Sequence, residues 1–142
     1  ISDGRTGLFM TETDILRFAD PNFNTIKESE TVADAISLMS KIDQSELIVV
    51  NQSGEFVGKT NSLSLFNKQG PLSSVDVIDK DCVFIKHDAS VQSAMEIASD
   101  FVGEIIPIVQ TDQNKAVAII TEGAIFQAYL SKQSQTVEME KR

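Results

Sequence analysis

The chain has 142 residues, 42% of them hydrophobic, with a formal charge of −9 and a pI near 4.5. That is enough apolar material for the core of one compact domain or two very small ones, and too much for disorder. The acidic balance excludes a nucleic-acid interface and docking on anionic lipid, both of which need a basic face.

Single residues narrow the classes further. The one cysteine, Cys82, leaves no internal disulfide and fits a reducing compartment, where it reads as a small buried apolar residue. The one histidine, His87, leaves no His/Cys metal cluster and no Ser-His-Asp triad with a spare base. The longest apolar runs, Leu47 to Val50, Ile105 to Val109 and Ala116 to Ile120, are far too short for a membrane span. No signal peptide is recognisable, and a start at Ile1 gives the expectation that the chain is a piece of a larger protein.

Residues 1–10 carry two glycines and read as a linker. Thr11 to Phe18 is predicted as a short helix, with Thr11 or Thr13 as N-cap, broken by Asp20-Pro21-Asn22. Thr25 to Lys27 is a short strand. A helix follows, opened by Thr31 with Asp34 three residues on, a capping box with Asp in place of Glu. Val32, Ala35, Ile36 and Met39 form its apolar stripe. Leu47 to Val50 is a strand buried on both faces, Gln52-Ser53-Gly54 a turn, and Phe56 to Thr60 the returning strand. Ser62 to Lys68 is a short helix stopped by Gly70-Pro71.

The chain then says much the same again. Phe84-Ile85-Lys86 repeats Thr25-Ile26-Lys27 at an offset of 59 residues, and the match runs through to Ile106-Pro107-Ile108-Val109 against Leu47-Ile48-Val49-Val50. Ser90 caps the second copy of the helix, whose stripe is Val91, Ala94, Met95 and Ala98. Ile105 to Gln110, a turn at Thr111 to Asn114, a strand Ala116 to Ile120 and a helix Thr121 to Lys132 complete it. Each unit is strand–helix–strand–strand–helix, over 11–70 and 71–132, and 133–142 is a polar tail expected to fray. One unit alone would leave a sheet face bare. Two can cover each other, so the fold class is α+β, a tight pseudo-twofold pair with any ligand expected between the halves.

A duplicated β-α-β-β-α unit of this length resembles the CBS domain pair, or Bateman module. The resemblance is carried by Asp14-Ile15-Leu16 and Asp76-Val77-Ile78 as lead-ins. Ile106-Pro107-Ile108-Val109 and Leu47-Ile48-Val49-Val50-Asn51, the latter without the proline, stand as middle strands. Gly58-Lys59-Thr60-Asn61-Ser62-Leu63-Ser64-Leu65 and Ala118-Ile119-Ile120-Thr121-Glu122-Gly123-Ala124-Ile125 stand as closing motifs. It covers about residues 12–131. It implies a regulatory module, not an enzyme, with a cleft that takes AMP, ADP, ATP or S-adenosylmethionine. Asn61, Ser64, Ile106, Pro107 and Thr121 are the candidate adenosyl-ligand residues. The family's closing threonine holds phosphate or ribose and its aspartate takes the ribose hydroxyls. Here Asn61 replaces that threonine in the first copy, and Ser64 and Ala124 replace the aspartates. The diol-binding carboxylate is therefore missing from both copies, which counts against nucleotide.

Lys59 stands where an apolar residue is wanted. It reads either as a cleft cation meeting phosphate or, the favoured expectation, as an edge-strand lysine with its ammonium in solvent. Lys27 and Lys86 hold matched positions that either flank an anion site or only record the duplication. Thr121 reads as a phosphate perch or a plain N-cap, with Glu122 favouring the cap. Phe101, Val102 and Gly103 are expected to form an exposed apolar loop for a partner. The helices Thr31–Lys41 and Ser90–Asp100 are expected to face a shared interface, with modules dimerising through helices into a disc. The implied setting is the cytoplasmic face of the cell membrane, as the appendage of a channel or transporter. A ClC-type chloride transporter is favoured as the parent, and a nucleotide sensor on a soluble enzyme or magnesium transporter is the alternative.

Overall fold

The computed structural model describes residues 15–141, with side chains over 15–133. The predicted first helix falls mostly outside that range; residues 15–17 are helical. The elements are β1 (Thr25–Lys27), α1 (Val32–Ile42), β2 (Glu46–Val50), β3 (Phe56–Asn61), α2 (Ser62–Leu65), a 3-10 turn (Leu72–Ser74), β4 (Ile85–Lys86), α3 (Val91–Ala98), β5 (Ile106–Gln110), β6 (Lys115–Ile120) and α4 (Glu122–Lys141). They form two three-stranded sheets, β1-β2-β3 and β4-β5-β6. In each sheet the first pair is parallel and the second antiparallel.

Local chemistry sets the helix starts. Thr31 Oγ1 accepts the Asp34 N–H at 3.1 Å, and Asp34 Oδ2 accepts the Thr31 N–H at 3.1 Å, closing the predicted box. Ser90 caps α3 through the Ser93 N–H. Val32, Ala35 and Met39 are buried, but Ile36 is 48% exposed. Met95, its counterpart, is half-buried. The buried strip on each helix is therefore narrower than the predicted stripe. α4 continues to Lys141, through the polar segment expected to fray, which is rich in Gln and Glu and free of Gly and Pro.

The duplication is visible in the ladders. Val49 pairs with Gly58 and Val50 with Phe56, and both sheets carry a bulge at this point. Ile108 pairs with Ala118 and Val109 with Ala116, so the second hairpin is one residue longer at its tip. Beyond the tips the counterparts are Gly58 and Ala118, Lys59 and Ile119, Thr60 and Ile120, Asn61 and Thr121.

The lead-ins cross over. Asp20 exchanges backbone hydrogen bonds with Ile119 of β6 at 2.8 and 2.9 Å, and Asp79 does the same with Lys59 of β3 at 2.8 and 3.1 Å. Each sheet is thus extended by the segment that leads into the other repeat. The cores obey the same exchange. Leu72 and Val77 pack with Ile26, Val32, Leu47 and Val49, whereas Ile15 packs with Ile85, Ala94, Ile106 and Ile125. A third cluster, Ile48, Val50, Ile105 and Ile119 with Phe23 and Phe56 against it, lies where the inner sheet faces meet. The seam between repeats is made by strands, not by the long helices.

Candidate functional site

Strand alternation decides what enters the seam. On β2, Leu47 and Val49 point into their own repeat's core, and Glu46, Ile48 and Val50 point the other way. Lys59 lies opposite Ile48, and Asn61 opposite Glu46. Glu46, Lys59 and Asn61 therefore share the seam face, with Glu46 and Lys59 diagonal neighbours within reach of long side chains.

The two charged groups meet there. Lys59 Nζ donates to Glu46 Oε1 at 2.9 Å and to the Ile105 carbonyl at 2.7 Å, and lies 4.8 Å from the centre of the Phe101 ring. Glu46 Oε1 also accepts the N–H groups of Glu104 and Ile105, each at 3.0 Å. Glu46 is 7% exposed and Lys59 8%. The expectation of a solvated edge lysine is overturned. The edge of β3 is covered by Asp79, and the ammonium turns inward to a carboxylate 13 residues back in the chain. Phe101 is a correction too: it is 8% exposed beneath that ammonium, while Val102 beside it is 94% exposed.

A cavity of about 180 Å³ opens at this point, lined by Glu46, Lys59, Thr60, Asn61, Asp79, Asp81, Cys82, Val83, Phe101 and Val102. Ligand pockets for drug-sized molecules run roughly 300–1,000 Å³. Its charged lining is three carboxylates against one ammonium, and that ammonium already has an anionic partner. Burial, with the Asp79 charge adding to it, pushes the Cys82 thiol up to about 11. That direction disfavours the thiolate, the form that acts as a nucleophile.

The predicted residues scatter. Asn61 lines the cavity, but its Oδ1 accepts the Ser64 N–H at 2.8 Å as the cap of α2. Ser64 is exposed and outside the lining. Thr121 Oγ1 accepts the Ala124 N–H at 3.1 Å, capping α4. Ile106 is fully buried in its own repeat's core, on the face of β5 away from the seam. Pro107 is buried opposite Ile119. Lys27 and Lys86 are exposed and do not line the cavity. His87 is half-buried, with Nδ1 enclosed and without a hydrogen-bond partner. Sequence reasoning missed Glu46 altogether. A carboxylate at the head of an otherwise apolar strand was the available signal. Among the described residues no cluster of His, Cys, Asp and Glu could hold a metal, and no helix is long and apolar enough to cross a membrane.

The comparisons with known proteins bear on this arrangement. A profile of the CBS domain matches residues 14–58 and again 74–131. No curated protein sequence matches the chain. Among solved structures, the CBS pair domain of a protein described as a Mg2+ transporter of Shewanella oneidensis superposes with a TM-score of 0.74 at 17% identity, over 87% of this chain and 73% of that one. A CBS pair/ACT domain protein of Thermotoga maritima gives 0.71 at 17%, over 85% and 98%. CBSX2, solved in complex with AMP, gives 0.69 at 20%, over 84% and 97%.

Proposed function

The chain belongs to the CBS domain family as a tandem pair, a regulatory module, and from that premise we propose that it regulates and assembles a larger protein without using adenine nucleotide as its signal. One observation carries this. The seam position open to a ligand is occupied by the protein's own Lys59–Glu46 pair, and both closing-motif polar groups, Asn61 and Thr121, are engaged as helix caps. An entering phosphate would meet Asp79 and Asp81, and a ribose would find no diol carboxylate at Ser64 or Ala124. A buried hydroxyl left without a partner costs about 1–3 kcal/mol. Isothermal titration of AMP, ADP, ATP and S-adenosylmethionine into the protein tests the reading: no saturable heat at millimolar ligand is expected, and a saturable isotherm overturns it.

The assembly half of the proposal rests on the helical side. Ile36 is 48% exposed, Leu63 85%, Phe66 71%, Phe126 51% and Leu130 42%. Phe66 and Phe126 are counterparts, as are Ile36 and Met95, so the apolar face recurs in both repeats. A second copy related by a twofold axis would bury both patches at once. A shallow apolar groove of about 390 Å³ between α3 and α4, reaching Met95 and Phe126, fits an incoming side chain.

The parent under this reading is a membrane transport protein, with the chain at its cytoplasmic face. ClC-type chloride transport is the leading candidate, and magnesium transport or a soluble enzyme follows. The full-length protein tests this: apolar spans of about 20 residues are expected in it, and their absence would contradict the reading.

A further inference from the structure

We infer that Glu46 and Lys59 form an internal clasp that holds the two repeats in register, and that only the first repeat supplies the charged pair. Four hydrogen bonds cross the seam here: Lys59 Nζ to the Ile105 carbonyl, the Glu104 and Ile105 N–H groups to Glu46 Oε1, and the Ser45 N–H to Glu104 Oε1 at 3.1 Å. Three join Glu46 or Lys59 to the backbone entering β5, and the fourth runs from the Ser45 N–H, just before β2, to the Glu104 side chain. All four end on a full charge or start from one, the stronger class of hydrogen bond. The charges compensate each other where both side chains are buried, so neither group stands uncompensated.

The surroundings are fitted to the pair. Phe101 lies under the ammonium. Gly103 passes so near that a Cβ there would lie 2.7 Å from Glu46 Oε2, at a φ of +151°. The counterparts of Glu46 and Lys59 in the second repeat, Ile105 and Ile119, carry no charge and pack with Ile48 and Val50 as apolar seam residues. The seam thus combines an apolar cluster with a polar clasp that needs both members. Removing either member therefore loosens the clasp and leaves the apolar cluster of Ile48, Val50, Ile105 and Ile119 in place.

The inference rests on the reading of the seam as free of nucleotide, and amide hydrogen exchange separates the two. In Lys59→Met and Glu46→Gln the Glu104 and Ile105 amides should exchange at least about tenfold faster than in the wild type. The His87 amide, bonded to the Val109 carbonyl at 3.0 Å, should keep its rate. Should a single variant fail to fold, Glu46→Ile/Lys59→Ile strands no charge and copies the residue types of the second repeat. It should melt cooperatively and still expose both amides. Wild-type rates at Glu104 and Ile105 in any folded variant overturn the clasp. Slowing of these amides in the wild type on adding AMP overturns the nucleotide-free reading and leaves the clasp standing.

Discussion

Gly58 and Asp79 pass so closely that a Cβ on Gly58 would lie 2.3 Å from the Asp79 carbonyl oxygen. This is where the lead-in of the second repeat crosses the edge of β3, held by the two backbone bonds between Asp79 and Lys59. The counterpart of Gly58 is Ala118, so the second crossing tolerates a methyl group that the first does not.

Gly58→Ala should therefore destabilise the fold by about 3 kcal/mol, the upper part of the range for forced overpacking. Gly123→Ala should act the other way. Gly123 sits in α4 with its nearest neighbour, Thr121 Oγ1, 3.9 Å from the new methyl, so a gain of about 0.4–1 kcal/mol is expected. Urea unfolding of the two variants checks both signs.

Thr31→Ala removes one arm of the reciprocal cap on α1 and frees the Asp34 N–H. The expected loss is about 1 kcal/mol in chemical denaturation. Thr31→Ser should keep most of the stability, since the hydroxyl remains.

Much of this architecture is legible in the chain because its signals are local. Thr31 with Asp34, Ser90, and the apolar runs at 47–50 and 106–109 declare themselves within a few residues. The seam is not legible for the opposite reason. Lys59 reaches Glu46 across 13 residues and Ile105 across 46, so its burial depends on pairings that no local pattern records. The crossing of the lead-ins is hidden in the same way, because Asp20 and Ile119 meet only after both sheets have formed. Asn61 and Thr121 read correctly as polar residues at helix starts. The sequence reads Thr121 as an N-cap, and the structure adds Asn61 in the same role.

The raised Cys82 pKa carries a sign. The unfolded thiol loses its proton near 9.0, while the folded thiol holds its proton up to about 11. Below pH 9 both states are neutral and the group contributes nothing that varies with pH. As pH rises from 9 towards 11 the unfolded state releases the proton first, so stability falls across that window. Alkylation of Cys82 by iodoacetamide at pH 8 should be slow beside a free thiol, and should climb steeply only above pH 10. Fast labelling at pH 8 would show that the thiol is not held neutral.

Replacing Phe66 or Phe126 by Glu places a charge in the exposed helical face. Sedimentation velocity should show a dimer for the wild type and a monomer for Phe66→Glu and Phe126→Glu, with unchanged melting of the monomer unit. A wild type that stays monomeric at high concentration would remove the helical interface.

The nucleotide-independent seam is tested most directly by the melting temperature of the wild-type protein over a concentration series of AMP, ADP, ATP and S-adenosylmethionine. A ligand that binds only the folded state raises stability by about 2.7 kcal/mol at one hundred times its dissociation constant. A flat melting temperature into the millimolar range is the predicted result. A rise that grows with the concentration of any of the four, and is lost in Asn61→Ala or Thr121→Ala, would contradict it.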